Sequence, residues 1–365
     1  MEHPSIKTIK CTGTPYEIGF THGSTAVEEV LSNIKTYTSF FQETAQLTWK
    51  QARNRASEQF IPVLKTKYPS ILEEMRGIAE GSGHGLLLED ILALNVRSEI
   101  ALTNYADGCT TLAQAGPEGK IFLAQNWDWI EQLRDGMVIL HIQPPTGQGY
   151  ETKILSEAGI VGKVGMNRAG VGLCLNALRS GALDISGLPI HCMSRRILQY
   201  AGSVDEALSM IAEFSIASTG NYVVADRTGD FLDIEYSPHG NVIMRASAEA
   251  NYGYVAHTNH LCGPDRPAQL KDHPAANSFS RLKRFRELTD ADNRDNREPS
   301  FQSIRKRLSD EEGFPYSICR ERPSGAVGME RMTTLCTIIM EMKSLTGVLT
   351  IGRPCKDLIP IKWSF

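Results

Sequence analysis

The sequence predicts an α+β protein in which helical layers pack against β-sheets. Three observations lead to this prediction. Apolar residues recur at helical spacing in the first hundred residues, the pattern changes to short β-type runs at Cys109, and strands and helices then follow in blocks. The change at 108/109 is the one boundary that the sequence indicates. It divides the chain into a helical N-terminal part, residues 1–108, and a second part, residues 109–365.

The N-terminal part is predicted to be helical from its capping residues and apolar spacing. Thr14 to Glu17 supplies a cap, a proline at the first helical position and an acid at the third. Apolar residues at helical spacing in 27–34 predict the helix that follows. Ser70 to Glu73 repeats the capping pattern, and Gly81-Ser82-Gly83 should end that helix. A last short helix is expected at 86–102.

The second part alternates between strand and helix signals. Gly116 to Gly119 and Asn167 to Gly170 are predicted hairpin turns, and Ser203 with Glu206 is a predicted helix cap. Strands are expected at 109–113, 120–127, 137–143, 151–156, 161–166, 171–176, 221–226, 231–236, 333–342 and 346–352. Helices are expected at 189–201, 204–214, 277–289 and 300–310, with a polar linker at 290–299.

The composition excludes several classes of protein. Of the 365 residues, 41% are hydrophobic, which is enough to bury a large core. A net charge of −4 argues against nucleic-acid binding, and no apolar run reaches membrane-spanning length. Residues 1–5 lack the pattern of a secretory signal, and residues 362–365 lack a peroxisomal tripeptide. We therefore expect a cytoplasmic protein that binds neither nucleic acid nor membrane.

The cysteines and histidines give little support for a metal site. None of the eight cysteines forms a Cys-x-x-Cys pair, and their scatter indicates reduced thiols. His257 and His260 could share one face, but no third ligand stands near them in the sequence. His191-Cys192 has the same weakness. The sequence therefore predicts no metal and no bound cofactor.

The stretch Asp107-Gly108-Cys109-Thr110-Thr111 contains the chemistry of greatest interest. A thiol that breaks the peptide bond before it must reach the preceding carbonyl carbon, and glycine permits the backbone geometry at least steric cost. Scission would leave Cys109 with a free α-amine beside its thiol. An α-amine with a pKa of about 7.7–8.0 suits a general base near neutral pH. One residue would then supply both nucleophile and base.

This stretch, together with others along the chain, resembles the fungal acyl-coenzyme A:6-aminopenicillanic acid (isopenicillin N) acyltransferases, which are N-terminal nucleophile hydrolases. The resemblance extends over most of the chain in one order. The matching stretches are 11–19, 22–23, 107–111, 125–128, 157–165, 176–178, 235–238, 257–260, 314–320 and 352–354. It implies a four-layer αββα sandwich that self-cleavage between Gly108 and Cys109 divides into an α chain and a β chain.

The resemblance also implies roles for individual residues. Cys109 would be the nucleophile, and Asp128 would orient its new α-amine. The side-chain amide of Asn259 would donate to the oxyanion, and Arg320 would assist processing or catalysis. Neutral amide donors suit a site that must hold developing negative charge. Less certain pocket positions are Asn126, Asn176 and Ser237.

The resemblance implies an acyltransferase that moves an acyl group through a Cys109 acyl-enzyme to an amine or to water. Acyl-coenzyme A would be the co-substrate, a small amine the acceptor, and the two fragments would remain together as a heterodimer. An amidohydrolase of small N-acyl compounds that does not use coenzyme A is the close alternative. The missing peroxisomal tripeptide departs from the penicillin-making enzymes, and a shared fold does not fix the substrate.

Three other interpretations remain open at this stage. Cys109, His257 and Asn259 have the chain order of a papain-like protease, although the local papain signature is missing. An unprocessed, non-catalytic relative would keep the fold without the chemistry. A basic cluster could contact coenzyme A phosphates or simply form a solvated helix face. Its members are Arg281, Lys283, Arg284 and Arg286.

Overall fold

The computed structural model describes residues 6–101, 108–246 and 252–365. In these ranges the strands are β1 Lys7–Thr12, β2 Gly108–Ala115, β3 Ile121–Ile130, β4 Met137–Gln143, β5 Thr152–Glu157, β6 Val164–Asn167, β7 Val171–Ala177, β8 Gly220–Asp226, β9 Phe231–Tyr236, β10 Val242–Met244, β11 Tyr254–His257, β12 Met332–Glu341, β13 Thr346–Ile351 and β14 Ile361–Ser364. The helices are α1 Pro15–Thr25, α2 Val27–Ala45, α3 Trp49–Lys67, α4 Pro69–Ser82, α5 Leu88–Asn95, α6 Arg97–Ala101, α7 Ile190–Tyr200, α8 Val204–Phe214, α9 Ala276–Arg294 and α10 Phe301–Leu308.

The strands form two sheets that pack against each other. One sheet has eight strands in the order β1-β4-β5-β6-β7-β8-β9-β10, and the other has six in the order β11-β2-β3-β12-β13-β14. Leu123 of β3 reaches Gly172 of β7 across the space between the sheets, and Leu123, Cys174 and Val223 belong to one buried apolar cluster there. Burial of such surface contributes about 25 cal/mol per Å². Apolar packing therefore holds the two sheets face to face.

Helices cover the outer face of each sheet. Helices α7 and α8 pack on β6, β7 and β8 of the larger sheet, and α9 and α10 pack on β2, β3, β11 and β12 of the smaller one. Leu282 and Phe285 of α9 join Leu112 and Ala124 in a second apolar cluster on this outer face. The four-layer αββα sandwich that the resemblance implied is confirmed.

Helix α1 crosses α4 at very short range because glycines line the contact. A Cβ on Gly19 would lie 1.9 Å from the carbonyl oxygen of Glu74, and one on Gly77 would lie 2.2 Å from that of Tyr16. Only residues without a side chain allow the two backbones to touch in this way. The cap predicted for α1 is confirmed, since the Thr14 side chain accepts from Glu17 N and Glu17 bonds back to Thr14.

Several elements differ from the sequence predictions. The capping box at Ser70 is wrong, because Pro69 opens α4 one residue earlier and no side chain caps it. Helix α9 runs to Arg294, which shortens the polar linker predicted at 290–299, and the strand predicted at 161–166 is β6, which begins at Val164. Helix α3 and strands β1, β10, β11 and β14 were not predicted. Residue 102 of the helix predicted at 86–102 lies outside the described residues.

Strand β1 ties the N-terminal part into the second part. It pairs in parallel with β4, with Ile9 opposite Leu140 and Cys11 opposite Ile142. Its alternating burial is weak, and only Ile9 and Cys11 are fully inside. The strand forms because β4 supplies a partner, so the boundary at 108/109 does not separate two independent folding units.

The segment between β5 and β6 is the main docking point for the N-terminal helices. Buried Glu157 accepts from Arg97 Nη2 at 2.9 Å and from Lys163 Nζ at 2.8 Å, and Tyr37 Oη also donates to it. The Asn95 side chain donates to Gly159 O at 2.8 Å and accepts from Val161 N at 2.9 Å. Buried ion pairs are costly to break on one side only. These contacts hold helices α2, α5 and α6 against residues 157–163 of the second part.

His22 makes the structure sensitive to acid. It is 1% exposed, its Nε2 accepts from Gly159 N at 3.1 Å, and burial lowers the pKa of His22 to about 3. A depressed histidine pKa means that the unfolded chain binds the proton first, so stability is lost as pH falls below about 6.5. We expect about 1.4 kcal/mol of unfolding free energy to disappear between pH 7.5 and 5.5 through this residue. Urea unfolding at both pH values measures this loss.

His22→Gln is the matched variant, because its side-chain oxygen can still accept from Gly159 N. Between pH 7.5 and 5.5, we expect the variant to lose about 1.4 kcal/mol less unfolding free energy than the native chain does. Equal pH dependence in both proteins would show that His22 does not control it.

Within the three described ranges, no helix combines the length and apolar character needed to cross a membrane.

Candidate active site

The Gly108–Cys109 bond is the first peptide bond of strand β2. This strand lies between β11 and β3 in the smaller sheet. Gly108 is opposite Asp128 and Cys109 is opposite Trp127 in the antiparallel register with β3. Cys109 is 2% exposed and belongs to the apolar cluster between the sheets. Asp107, which completes the stretch singled out in the sequence, lies outside the described residues. The candidate nucleophile is thus held at the first residues of a buried strand.

Gly108 is packed too tightly to carry a side chain. A Cβ there would lie 2.8 Å from Cβ of Asp128, 3.1 Å from its Oδ2 and 3.1 Å from Arg320 Nη1. The absence of a side chain therefore lets the carboxylate and the guanidinium approach the backbone just before Cys109.

Asp128 is a fully buried carboxylate beside this backbone. Its Oδ1 accepts from Thr334 Oγ1 at 2.7 Å, while its buried Oδ2 has no hydrogen-bond partner among the described residues. Burial raises the pKa of Asp128, and the charges of Arg281 and Arg320 oppose that rise. This Oδ2 faces the Cβ direction of Gly108, the residue just before Cys109.

Thr334 couples Asp128 to Arg320. The backbone N of Arg320 donates to Thr334 Oγ1 at 2.9 Å, and Thr334 N donates to Arg320 O at 3.1 Å. The Arg320 side chain is 8% exposed. One β12 threonine thus fixes both the acid and the segment that carries the arginine.

Asn259 contacts the backbone nitrogen of the candidate nucleophile. Its Oδ1 accepts from Cys109 N at 2.8 Å and from Arg281 Nη2 at 2.8 Å, while its Nδ2 donates to Ala177 O at 3.1 Å. Its own backbone N donates to Ser278 Oγ at 2.8 Å. The side-chain amide is therefore held at both ends, with its oxygen directed at residue 109.

Asn176 lies one step away, across the space between the sheets. Its Oδ1 accepts from Thr111 Oγ1 at 2.7 Å and from Asn221 Nδ2 at 3.2 Å. Its buried Nδ2 has no hydrogen-bond partner in the described part of the chain. Asn176 is thus linked to the strand of the candidate nucleophile through Thr111.

Asn126 contacts residues that are distant along the chain. Asn126 Nδ2 donates to the carbonyl oxygens of Leu308 (2.8 Å) and Ile318 (3.0 Å), and its Oδ1 accepts from Thr337 at 2.6 Å. Asn126 therefore connects the end of α10 to the sheet.

The Ser237 hydroxyl is used within its own turn. It donates to Gly240 O at 2.8 Å and accepts from His239 N at 3.1 Å. These contacts stabilise the turn after β9.

His257 is engaged in an ion pair. Its Nε2 lies 2.9 Å from Glu235 Oε1 and its Nδ1 lies 2.8 Å from Thr258 O. Burial opposes its charged form, but Asp233, Cys262 and Glu235 raise the pKa of His257 well above its usual value. Both ring nitrogens are therefore occupied, which does not fit the general base of a papain-like protease.

The histidine pairs considered for a metal have other partners. His260 Nδ1 lies 2.7 Å from Ser278 Oγ, and His191 Nδ1 lies 2.8 Å from Gly162 O. Glu235, His257 and Cys262 do have ligand-type atoms within 4.8 Å of one another. However, the Glu235 carboxylate already accepts from His257 and from the backbone of Cys262 and Gly263. We interpret Glu235 and His257 as an ion pair in which backbone N–H groups also donate to the carboxylate oxygens.

The basic cluster does not form one face of α9. Arg284 pairs with Asp310 at 2.8 Å and Glu312 at 3.0 Å, and the Lys283 side chain is 80% exposed. Arg281 is instead 2% exposed and reaches Cys109. The sequence spacing could have indicated that Arg281 is buried. Residues four apart share one face of a helix, and Phe285 is on the buried face of α9.

Replacing Gly108 by alanine should slow breakage of the bond that follows it. Overpacking costs about 1–3 kcal/mol. Such a cost, borne at the transition state, corresponds to about 10- to 100-fold in rate. Intact mass measured at intervals after synthesis gives the rate. Gly202→Ala is the control, because its added Cβ would meet only the Tyr150 hydroxyl and the Glu206 carboxylate. Equal cleavage rates in both variants would contradict this role of Gly108.

Comparison with known proteins places the chain in a family. The model of the acyl-coenzyme A:6-aminopenicillanic acid acyl-transferase family matches residues 114–356. The acyl-coenzyme A:6-aminopenicillanic-acid-acyltransferase 40 kDa form of Emericella nidulans is 32% identical over 351 residues, covering 95% of this chain and 92% of that protein. Protein dcd1A of Dictyostelium discoideum is 24% identical over 260 residues, 64% of this chain and 58% of that one.

Two solved structures match this chain over part of its length. Penicillin V acylase from Agrobacterium tumefaciens has a TM-score of 0.45 and 17% identity, covering 70% of this chain and 84% of that one. A mutant of conjugated bile acid hydrolase from Clostridium perfringens has a TM-score of 0.47 and 13% identity, covering 70% and 97%. The family assignment depends on the sequence matches alone. The chain belongs to the acyl-coenzyme A:6-aminopenicillanic acid acyl-transferase family.

Proposed function

We propose that this protein is a precursor that cuts its own Gly108–Cys109 bond and then acts as an acyltransferase or amidohydrolase through a Cys109 acyl-enzyme. The observation that carries the proposal is the arrangement around this one bond. Asn259 contacts the nitrogen of Cys109, and a buried oxygen of Asp128 lies beside Gly108. These two contacts support a role for both groups in binding an α-amine at residue 109.

In the processing step, the Cys109 sulfur attacks the Gly108 carbonyl carbon. A C–S bond forms and the C–N bond breaks, so the nitrogen takes up a proton and becomes the α-amine of residue 109. Water then hydrolyses the thioester, which leaves a carboxylate on Gly108 and restores the thiol. Residues 1–108 and 109–365 become the α and β chains.

In the acyl-transfer step, the α-amine of Cys109 accepts the thiol proton and the sulfur attacks the acyl carbon of the substrate. Asp128 orients the amine, and a hydrogen of Asn259 Nδ2 donates to the oxyanion. Arg320 contributes positive charge near the reacting carbonyl. The leaving amine or thiol departs with the proton, and an acceptor amine or water then releases the acyl group and regenerates Cys109.

The two chains are expected to remain together as a heterodimer. The buried contacts of Glu157 with Arg97 and Tyr37, and the pairing of β1 with β4, all cross the boundary. Loss of one covalent bond does not remove the apolar burial of such an interface.

Family membership favours acyl-coenzyme A as donor and an amine similar to 6-aminopenicillanic acid as acceptor. No bound cofactor is required by this chemistry. The alternative is an amidohydrolase that releases an acyl group from a small N-acyl compound without coenzyme A. Both activities form the same acyl-enzyme. They differ in whether an acceptor amine or water then removes the acyl group.

Two assays of the processed protein discriminate between these activities. Phenylacetyl-coenzyme A is incubated with 6-aminopenicillanic acid or other small amines, and free coenzyme A and the amide product are measured. Phenylacetyl amides are incubated separately, and the released amine is measured. Amide cleavage without coenzyme A turnover would defeat the transferase version. A protein that stays full-length and turns over neither substrate would favour a non-catalytic relative.

His257→Ala tests the papain-like alternative. A papain-like enzyme should lose at least about 1000-fold in rate without its general base. We expect less than about a tenfold loss in kcat/KM, because the α-amine of Cys109 is the proposed base. Thermal unfolding of the variant serves as control, since removing one partner of the buried pair with Glu235 destabilises the fold.

A further inference from the structure

Arg281 occupies an unexpected place in this fold. The sequence placed it in a basic cluster of α9, yet its side chain is 2% exposed and is directed at the start of β2. Burial of a guanidinium is expensive unless its donors are used. The contacts that hold it therefore indicate what it does.

The guanidinium of Arg281 donates to the Cys109 backbone, to Thr110 and to Asn259. Nη1 donates to Cys109 O at 2.5 Å and to Thr110 Oγ1 at 3.1 Å, and Nη2 donates to Asn259 Oδ1 at 2.8 Å. A planar fork of donors suits such simultaneous contacts, which a lysine ammonium does not reproduce.

These bonds decide which way the Asn259 amide faces. Its Oδ1 accepts from both Arg281 Nη2 and Cys109 N, so Nδ2 faces away from the backbone nitrogen of Cys109 and donates one hydrogen to Ala177 O. If the amide rotated by 180°, two donors would face each other and Arg281 would lose an acceptor. Arg281 therefore fixes the orientation that leaves Nδ2 for other acceptors.

The same bonds hold the residue that becomes a chain terminus. Once the preceding bond is cut, the peptide bond to Gly108 no longer holds Cys109 in place. Arg281 holds its carbonyl oxygen, and Asn259 holds its nitrogen. Terminal residues fray unless they are held in this way.

The charge of Arg281 acts on the same nitrogen. A nearby positive charge disfavours a protonated amine, whereas a carboxylate favours it. Asp128 of β3 lies beside Gly108, and the charges of Arg281 from α9, Arg320 from the segment before β12 and Arg353 act on that carboxylate. Because Arg281 donates to the carbonyl oxygen of Cys109 itself, its positive charge lies close to the α-amine of that residue and favours the neutral form that can act as a base.

We propose that Arg281 is a positioning residue of this site, which holds the Cys109 carbonyl and the Asn259 amide in place and keeps the α-amine of Cys109 neutral at working pH. This inference rests on the proposed function, because the α-amine exists only after cleavage. It adds a fifth member to the set of Cys109, Asp128, Asn259 and Arg320 expected from the resemblance.

The test separates the charge from the hydrogen bonds. Arg281→Met removes both, and Arg281→Lys keeps the charge without the planar fork. Each processed protein is assayed for kcat/KM on phenylacetyl-coenzyme A from pH 5 to 9, and for alkylation of Cys109 by iodoacetamide over the same range. Intact mass confirms that the chain is cut. Arg294→Met is the control, because it removes an equal charge from the exposed end of the same helix.

With Arg281→Met we expect the acid-side midpoints of both profiles to rise by about one pH unit. With Arg281→Lys the midpoints should stay within about 0.3 unit, while the maximal rate falls about tenfold. The Arg294→Met midpoints should match those of the native protein. If Arg281→Met does not fold, Arg281→Gln removes the charge while keeping polar atoms, and its midpoints should rise in the same way.

Two results would overturn the inference. Unchanged midpoints in the folded neutral variants would show that the Arg281 charge does not act on the amine. A full maximal rate in Arg281→Lys would show that the fork of donors is not needed. Failure of the proposed function looks different, because the native chain itself would then stay uncut.

Discussion

Cys109→Ala should remain a single chain of 40.3 kDa while the native protein separates into two fragments. The 108:257 division of residues corresponds to fragments of about 12 and 28 kDa if residues weigh alike. Alanine cannot attack the Gly108 carbonyl, and an uncatalysed peptide bond is stable on the timescale of a preparation. Acyl transfer should fall to background, because both the sulfur and the α-amine are missing. Intact mass spectrometry measures the first effect, and coenzyme A release measures the second.

Cys192→Ala is the matched control for this variant. Its thiol is also fully buried, but it belongs to α7 on the outer face of the larger sheet. It should be cut at the native rate and lose at most about 1–2 kcal/mol of stability. Cleavage of Cys109→Ala into the same fragments, or undiminished activity of that variant, would show that another group is the nucleophile.

The sequence predicted well those elements whose signals are local. The α1 cap depends on Thr14 and Glu17, three residues apart, and β4 was predicted at its observed bounds. Strand β2 starts at Gly108, one residue before its predicted start. In such cases the residues that decide the structure are neighbours along the chain.

Elements that depend on distant partners were harder to predict. Strand β1 forms against β4, some 130 residues away, and β11 forms against β2. At the site, Asn259 and Arg320 were identified only through resemblance. Arg281 was assigned to a solvated or phosphate-binding face, because a charged residue on a polar helix is usually exposed. Its burial follows from tertiary contacts with Cys109 and Asn259 that no local pattern records.

Asn259 contacts both Cys109, which the sequence identified, and Arg281, whose place in the site it did not predict. After Cys109→Ala, truncation of Asn259 should lower the catalytic rate the most. Asn259→Ala removes the proposed oxyanion donor, and loss of one such donor costs about 100- to 1000-fold in kcat. KM should change little, because the donor acts on charge that develops in the transition state. Cleavage of the Gly108–Cys109 bond should slow as well, since it passes through a similar oxyanion. Steady-state kinetics of the processed fraction and timed intact mass measure the two effects.

Ser209→Ala provides the comparison, because its exposed hydroxyl only donates to Asp205 O within α8. Its kcat should stay within about threefold of native, since lost local hydrogen bonds affect stability more than the reacting centre. An Asn259→Ala protein with native kcat and native cleavage would remove the side-chain amide from the mechanism. The oxyanion would then have to be held by backbone donors, and the contact between Asn259 and Cys109 N would serve only to anchor the start of β2.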